Sequence, residues 1–324
     1  MPAHPSREPL TRRPSLRHRL EFLGYRLAVG AVRLAPERLA LRFGEAMGWL
    51  AGAVFRVRWG TVMDHLRKAF PERDDRWHGR LARASFRHLG RESVAAFRLG
   101  SMGPHEIRAR TEVVGLEALQ GAVAAGKGAI VVTGHFGNWE AGGTGLAVRG
   151  IPLDVVAKGQ KNPLFDAELN RNRARMGMTV IERREAPRRV LRSLRAGRVV
   201  AIVGDQNVRR GGVFVDFFGR PASTARGTAV FALRTGCPIF MGFARREPGF
   251  PLRYRVSLDP VEFTPTGDME EDAIRLTAAH TRYLEDQVRR APEQYFWQHR
   301  RWKTRPGEEE GKAEREGQNL GPVS

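Results

Sequence analysis

The residues of this sequence best suited to chemistry lie in Gly134–Glu140, which contains both an imidazole and a carboxylate. Five steps of an α-helix would place His135 and Glu140 on different faces, since each step turns about 100°. They can meet if His135 lies on a turn and Glu140 lies in the first turn of the helix that follows. An imidazole held by a carboxylate is the minimal general base, so we predict that this pair removes a proton from a substrate.

The elements around this segment predict where the histidine lies. The run at 129–133 is apolar and indicates a buried strand. Asn138 is of the residue type that caps helices, so we predict a helix at 138–149. His135 then lies at the carboxyl end of a strand, where open α/β sheets bind their ligands. Gly137 lacks a side chain and leaves room beside the histidine.

Strand and helix patterns alternate through most of the chain, which predicts an α/β fold with a mixed, mainly parallel central sheet flanked by helices. The predicted strands are 129–133, 153–157, 178–181, 199–204, 237–244 and 253–258. The predicted helices are 78–98, 115–125, 138–149, 163–176, 186–196, 223–236 and 269–290. We expect Ser223 or Thr224 to cap the helix at 223–236.

A second polar cluster, Asp205 and Gln206, follows the predicted strand at 199–204. Taken alone, a carboxylate there is typical of a turn or cap. Arg173 lies on the predicted helix at 163–176. The positions of His135, Glu140, Asp205 and His299 match no usual zinc or two-His-carboxylate spacing, so we expect neither a metal nor another cofactor. The single cysteine, Cys237, lies in an apolar segment and is predicted to be a core residue.

The net charge of +20, from 55 Lys+Arg and 35 Asp+Glu, predicts an anionic partner. Nucleic-acid-binding proteins interleave basic and aromatic residues or show a known motif, and neither occurs here, so we do not expect nucleic acid to be that partner. The segment 183–198 contains seven arginines and one acidic residue. It could contact an acidic protein or a phosphorylated lipid.

Composition divides the chain into four predicted regions. Residues 1–19 are predicted to be a disordered basic N terminus and 306–324 a disordered charged tail. Residues 20–60 are predicted to be helical and to associate with a membrane, whereas 61–305 form the α/β domain. The charge-free run Ala46–Phe55 is shorter than the roughly 18 apolar residues of a membrane span. A helix lying in the interface and ordinary packed amphipathic helices are the two alternatives.

Four landmarks occur in order between Leu20 and Pro306. They are the H-x4-E motif of Gly134–Glu140, Asn162–Leu164 followed by Arg173, Asp205–Gln206 followed by Val213–Gly219 and Ala222–Gly227, and the block Ala291–Pro306. With these landmarks the chain resembles the late acyltransferases of lipid A biosynthesis, the lauroyl/myristoyl transferase family of Gram-negative inner membranes. It departs from that family in its N-terminal region, where family members usually have a more clearly defined membrane helix.

The resemblance implies acyl transfer from acyl-acyl carrier protein to a hydroxyl of a lipid A precursor, at the cytoplasmic face of the inner membrane. His135 would then be the general base and Glu140 its partner. For the oxyanion, the candidates are the backbone N–H groups near Gly137 and Asn138 and the guanidinium of Arg173. Asp205, with Gln206, is assigned to acceptor binding or site architecture.

Three other functions remain open from the sequence. An acyltransferase of the same superfamily could use another glycolipid or glycerolipid acceptor, although enzymes that acylate glycerol phosphates typically have H-x4-D. A soluble esterase or thioesterase could use the same two residues on water. A basic nucleic-acid-binding protein would explain the charge and would give His135 no role.

Overall fold

The structure of the chain, a computed structural model, describes residues 13–307. The strands of the described residues are β1 (Thr111–Val114), β2 (Ala129–Thr133), β3 (Leu153–Ala157), β4 (Thr179–Glu182), β5 (Val199–Val203), β6 (Gly212–Asp216), β7 (Pro221–Ala225), β8 (Ile239–Arg246) and β9 (Tyr254–Pro260). The helices are α1 (Leu16–Leu34), α2 (Glu37–Trp49), α3 (Trp59–Ala69), α4 (Asp75–Leu99), α5 (Pro104–Arg110), α6 (Leu116–Ala124), α7 (Trp139–Ala147), α8 (Pro163–Arg175), α9 (Ala186–Arg195), α10 (Gly227–Thr235) and α11 (Met269–Arg290).

Seven strands form the central sheet in the order β1-β9-β8-β2-β5-β3-β4. Strands β8, β2, β5, β3 and β4 pair in parallel, whereas β9 runs antiparallel to β8, and β1 runs parallel to β9. The predicted α/β fold with a mainly parallel sheet is therefore confirmed. The carboxyl ends of β2 and β5 lie side by side. Residues that follow these two strands in the chain can therefore contact one another at that edge of the sheet.

Helices cover both faces of the sheet. Along β2, Ile130 and Val132 pack into one hydrophobic core, whereas Ala129 and Val131 pack into the other. This alternation follows from the two-residue period of a strand. A strand buried on both faces reads as a continuous apolar run, which is why the sequence shows β2 so clearly.

Four parts of the secondary structure differ from the sequence prediction. The segment Pro221–Ala225 is strand β7, paired antiparallel with β6, so Ser223 and Thr224 do not cap a helix. The helix expected at 223–236 begins instead at Gly227. Ser and Thr suit both caps and strands, and here the ladder to β6 takes the backbone groups that a cap would use. Strands β1 and β6 were not predicted.

The expected disordered N terminus, 1–19, is only partly described. Residues 16–19 are helical and form the first turn of α1, because Ser15 caps that helix by accepting a hydrogen bond from the N–H of His18. Residues 1–12 and 308–324 lie outside the described part of the chain. The helical prediction for 20–60 is confirmed by α1, α2 and a π-helical turn at Leu50–Val54.

Helices α1 and α2 expose an unusual number of large apolar side chains, which we call the N-terminal apolar surface. They recur at helical spacing and continue beyond α2: Leu16, Leu20, Leu23, Leu27, Leu34, Leu39, Phe43, Met47, Val54, Phe55 and Val57. None of the helices in residues 13–307 reaches the length and apolarity that a bilayer-spanning segment requires.

Glycines bring α2 into direct contact with α4. A Cβ placed on Gly48 would lie 2.0 Å from the carbonyl oxygen of Phe86, and one placed on Gly90 would lie 2.1 Å from the carbonyl oxygen of Gly44. Such distances are too short for any side chain, so the two helix backbones touch. Helix α2 is therefore packed firmly against helix α4.

Candidate active site

The turn between β2 and α7 presents His135 at the carboxyl end of the sheet, as predicted. Asn138 caps α7 by accepting a hydrogen bond from the N–H of Ala141 at 3.0 Å, which confirms the predicted cap. Gly137 has a φ of 57°, and a Cβ there would lie 2.0 Å from the carbonyl oxygen of Ala244. Only glycine fits this position, because both the backbone angle and the close neighbour exclude a side chain.

The carboxylate that holds His135 belongs to Asp205. Nδ1 of the imidazole lies 2.7 Å from Oδ1 of Asp205, and the backbone N–H of His135 donates to Oδ2 at 2.9 Å. Thr133 of β2 and Val203 of β5 are register partners, and each of the two functional residues lies two positions further along its chain. Parallel pairing of adjacent strands therefore brings the histidine and the aspartate together.

The pKa values of this pair move apart. Burial works to lower the pKa of His135, but the charge of Asp205 and its hydrogen bond outweigh burial and raise it above its usual range. For Asp205, burial works to raise the pKa, and the charge and hydrogen bonds of His135 reverse this and leave it lowered. Asp205 thus stays ionised at neutral pH and favours a proton on the imidazole.

Glu140 does not take the position that the sequence predicted for it. Both of its carboxylate oxygens accept hydrogen bonds from the guanidinium of Arg173, so the two form an ion pair. Among the described residues no hydrogen bond joins Glu140 to His135. Glu140 lies in the first turn of α7 as expected, but Asp205 reaches the imidazole from the neighbouring strand. The predicted His135–Glu140 contact is therefore replaced by His135–Asp205.

The second ring nitrogen of His135 faces Gln206. Nε2 of His135 lies 3.2 Å from the amide nitrogen of Gln206. With Nδ1–H donating to Asp205, Nε2 holds a lone pair that accepts from this amide. The ring also packs edge-on against Trp139, with 4.9 Å between the ring centroids. The imidazole is thus fixed by three neighbours, and its basic nitrogen points at a side chain that a substrate could displace.

The backbone N–H groups of Gly137 and Asn138 are not free to bind an oxyanion. The first donates to the carbonyl of Gln294 and the second to that of Ala244, each at 2.9 Å. Of the candidates for the oxyanion donor, these two N–H groups are therefore already occupied by backbone carbonyls in this structure. Arg173, the other candidate, lies beside the site in its ion pair with Glu140.

The segment that follows α11 lies against this turn. The N–H of Phe296 donates to the carbonyl of His135 at 2.9 Å. Further along, Nε2 of His299 accepts from the N–H of Asn207 at 3.1 Å, and Thr304 exchanges hydrogen bonds with the same asparagine. The C-terminal landmark of the sequence therefore supports both loops of the site.

A buried arginine lies beneath Asp205. Arg301 is 1% exposed and donates to the carbonyl of Ser223 and the hydroxyl of Thr224. Its charge contributes to lowering the pKa of Asp205. Its place in an aromatic-rich block was the one sequence signal that could have distinguished Arg301 from the other basic residues.

A second buried carboxylate, Glu92 of α4, holds the turn from the opposite side. Its Oε2 accepts from Nδ2 of Asn138 at 2.9 Å and from the hydroxyl of Tyr254 at 2.6 Å. Burial raises the pKa of Glu92, because its effect outweighs the two hydrogen bonds, which act to lower that pKa. The sequence did not reveal this residue, because a glutamate in an arginine-rich helix reads as a solvated side chain.

Two cavities adjoin the site. The first, of about 90 Å³, lies between α7 and the sheet, and its wall is mostly aliphatic, with Val131, Leu153, Val155, Ala201 and Leu258 among its residues. Arg173 and Glu140 also line it. The second, of about 230 Å³, lies between α4 and the turn and is lined by His135, Trp139, Glu140 and Phe296 among others. Trp139 and Glu140 border both cavities.

In residues 13–307 no group of three or more His, Cys, Asp and Glu side chains is placed to hold a metal ion. Cys237 is buried in the hydrophobic core, as predicted. The polar groups that the site brings together are the imidazole of His135, the carboxylates of Asp205 and Glu140, and the guanidinium of Arg173.

Comparison with known proteins gives a consistent result. The sequence pattern that defines a family described as bacterial lipid A biosynthesis acyltransferase matches residues 10–304. The lipid A biosynthesis lauroyltransferase of Escherichia coli (strain K12) is 29% identical over 292 residues, which is 90% of this chain and 93% of the relative. The lipid A biosynthesis palmitoleoyltransferase of the same organism is 28% identical over 268 residues, 81% of this chain and 84% of the relative.

A relative that is named for a different acceptor also matches. It is the phosphatidylinositol mannoside acyltransferase of Mycolicibacterium smegmatis, which is 28% identical over 256 residues, 76% of this chain and 81% of the relative.

Proposed function

The chain belongs to the bacterial lipid A biosynthesis acyltransferase family and is an O-acyltransferase, and we propose that it transfers a fatty acyl chain from acyl-acyl carrier protein to a hydroxyl of a lipid A precursor. The observation that carries this proposal is the His135–Asp205 pair: His135 lines the larger cavity, and Trp139 and Glu140, which follow it in the chain, border both cavities. One cavity suits an acyl chain and the other leaves space for the acceptor. No covalent enzyme intermediate is needed, because a thioester is already an activated acyl donor.

His135 acts as the general base in this proposal. The acceptor hydroxyl displaces the amide of Gln206 and donates its proton to Nε2 while its oxygen attacks the thioester carbonyl. Asp205 holds the Nδ1–H tautomer and stabilises the imidazolium that forms. When the tetrahedral intermediate collapses, the carbon–sulfur bond breaks and Nε2 returns the proton to the departing thiolate. His135 thereby ends the cycle neutral.

Arg173 is the cation available to the developing oxyanion. It lines the apolar cavity and is oriented by its two hydrogen bonds to Glu140. A fixed guanidinium beside a partly buried carbonyl stabilises negative charge more strongly than water does. We therefore assign Glu140 the role of orienting Arg173, in place of the role it was predicted to have at His135.

The apolar cavity suits the donor's acyl chain. Its lining is mostly aliphatic, and Gly142 and Gly143 of α7 border it without side chains. A Cβ on Gly143 would lie 3.2 Å from the sulfur of Met178, so a larger residue there would press on the cavity wall. Burying an apolar chain there is favourable by about 0.8 kcal/mol per methylene.

Charge supports both an acidic donor protein and an anionic membrane. The chain has a net charge of +20. Exposed arginines such as Arg38, Arg42 and Arg56 border the N-terminal apolar surface, which fits attachment to the cytoplasmic face of the inner membrane. The arginine-rich segment 183–198 remains the candidate for contact with the carrier protein or with lipid phosphates.

The proposal is tested with the purified protein, an acyl-acyl carrier protein and a lipid A precursor, with the product measured by mass spectrometry. The wild-type chain is expected to add one acyl chain, and His135→Ala is expected to lower kcat by about 10² to 10⁴-fold, since proton transfer is lost. His105→Ala is the matched control, because His105 is exposed on α5. Near-wild-type transfer by His135→Ala would show that the base is misassigned.

The mycobacterial relative makes a mannosylated phosphatidylinositol the second acceptor to test. If the acyl chain is transferred to that lipid and not to the lipid A precursor, the proposed acyl transfer is correct but the proposed acceptor is wrong. Release of free fatty acid with neither lipid acylated would identify a thioesterase.

A further inference from the structure

One wall of the 230 Å³ cavity is a face of helix α4. The side chains at Ser85, His88, Glu92 and Ala96, with their neighbours Leu89, Ser93 and Phe97, recur every three or four residues along it. That spacing places them on one side of the helix. Opposite them lies His135, so the wall of α4 faces the same space as the proposed base.

Three polar atoms on this wall, the two ring nitrogens of His88 and Oε1 of Glu92, are buried and lack a hydrogen bond of ordinary geometry among the described residues. Neither ring nitrogen of His88 has a hydrogen bond of ordinary geometry among the described residues, and its side chain is only 8% exposed. Burial, with the charge of Arg246, lowers the pKa of His88 to about 3, against a smaller opposite effect of a weak hydrogen-bond contact with the Gly137 backbone. His88 is therefore neutral at pH 7 and offers one donor and one acceptor.

One carboxylate oxygen of Glu92 accepts hydrogen bonds, and the other has none among the described residues. Oε2 is held by Asn138 and Tyr254, whereas Oε1 has no hydrogen-bond partner among the described residues. Nε of Arg246 lies 3.6 Å from Oε1, and Nδ1 of His88 lies 4.0 Å from it. Buried polar groups normally find partners, because leaving one unsatisfied is costly.

The charges on this wall offset one another. The carboxylate of Glu92 is balanced by the guanidinium of Arg246, and His88 is uncharged. A phosphate would meet the carboxylate, and an ammonium group would meet the guanidinium. The wall therefore matches an uncharged group that both donates and accepts hydrogen bonds.

We propose that His88 and Glu92 form the subsite for the acyl acceptor and bind an uncharged hydroxyl or amide of that lipid next to the hydroxyl that reacts at His135. This inference rests on the proposed acyl transfer and names what orients the acceptor. The remaining lining, Leu89, Ala96 and Phe97, is apolar and suits a lipid chain.

The cavity extends along α4 toward helix α1, which supports an acceptor that enters from a membrane. At its outer end, Phe97 packs against Tyr25 of α1, with 5.5 Å between the ring centroids. Helix α1 also contributes Leu20 and Leu27 to the N-terminal apolar surface. The cavity thus runs along α4 from the base toward the helices that expose apolar side chains.

The experiment measures acyl transfer to the lipid A precursor by full-length variants, with the KM for the acceptor and kcat determined separately. His88→Leu is expected to raise the acceptor KM about 3- to 10-fold, the effect of losing a hydrogen bond to a neutral group. The KM for the acyl donor and the slow hydrolysis of the thioester by water are expected to stay unchanged. His88→Asn, which keeps a donor and an acceptor, should restore most of the acceptor affinity.

His105→Leu is the matched control, because His105 is exposed on α5 and does not line the cavity. An unchanged acceptor KM in His88→Leu would overturn the subsite while leaving acyl transfer intact. Equal losses of donor and acceptor kinetics would also overturn it, since they would indicate a structural role. Absence of transfer by the wild-type chain would overturn the proposed function and this inference together.

Discussion

The two ring nitrogens of His135 have different neighbours, and this asymmetry decides the direction of proton transfer. Asp205 accepts from Nδ1, and Nε2 faces the exchangeable amide of Gln206. A carboxylate behind one nitrogen makes the other more basic. Because the base must be unprotonated to act, activity should rise as pH increases through the raised pKa of His135.

Asp205→Asn is expected to change both rate and pH dependence. Without the carboxylate, burial alone acts on His135 and lowers its pKa, so the acidic limb of kcat/KM should move to lower pH. The rate should fall on the order of 10⁴-fold, as when the aspartate of a hydrolytic triad is replaced. The pH–rate profile of purified protein measures both effects.

Glu140→Gln is the control for that substitution. It weakens the ion pair with Arg173 and leaves the His135–Asp205 hydrogen bond in place. The acidic limb should therefore stay where it is, whatever the change in kcat. A shifted limb in Glu140→Gln and an unshifted one in Asp205→Asn would reassign the partner of the base.

The sequence could place each of these residues at a strand end, but it could not pair them. His135 and Asp205 were each predicted to follow a strand, and both do. Their contact depends on β2 and β5 being neighbours in the sheet. The order of strands in a sheet is set by tertiary packing, and the sequence pattern allowed many orders. Glu140 was selected as the partner because it is close along the chain and completes the H-x4-E motif on which the family resemblance partly rests.

Among elements, strongly patterned segments were predictable and short ones were not. Helix α11 occupies 269–290 as predicted, and β2 and β3 occupy 129–133 and 153–157. The hairpin of β6 and β7 was not recognised, since its strands have five residues each and contain Ser, Thr and Gly. Their stability comes from pairing and packing more than from local preference.

The contact between α2 and α4 can be tested with a single methyl group. Gly48→Ala places a Cβ where the Phe86 carbonyl lies 2.0 Å away, so the helices must separate. We expect the free energy of unfolding to fall by about 1–3 kcal/mol, the usual cost of overpacking. Chemical denaturation followed by circular dichroism measures it.

Gly24→Ala provides the comparison within a helix. Gly24 lies in α1, and a Cβ there would meet nothing within 4 Å. Alanine should keep or raise the stability there by up to about 1 kcal/mol, because it favours the helical backbone. If both substitutions had the same effect, close helix contact would not be the reason for Gly48.

At the scale of the whole molecule, one end of the chain provides the apolar exterior and the other supports the site. The N-terminal apolar surface lies on α1, α2 and the residues after them, whereas the carboxyl edge of the sheet holds His135 and Asp205. The sequence predicted a helical, membrane-associating region at 20–60, and its helical character is confirmed. Membrane attachment itself stays a prediction.

That attachment should depend on the leucines of α1. Replacing Leu20, Leu23 and Leu27 with Glu is expected to weaken binding to anionic phospholipid vesicles about 10-fold or more, since each leucine loses its apolar transfer energy. Vesicle flotation measures the bound fraction. Glutamates at Val114, Met269 and Ile274, which are exposed apolar residues outside this surface, should leave binding nearly unchanged. Similar losses in both triple variants would argue against a defined membrane face.

The support that residues 294–304 give to the site has a consequence for synthesis. The backbone of Gln294 and Phe296 bonds to the turn at His135, and Thr304 bonds to the loop after Asp205. A ribosome makes these residues after every strand of the sheet. The growing polypeptide therefore lacks a finished catalytic edge until translation has passed them, even after all nine strands of residues 13–307 and helix α11 have been made.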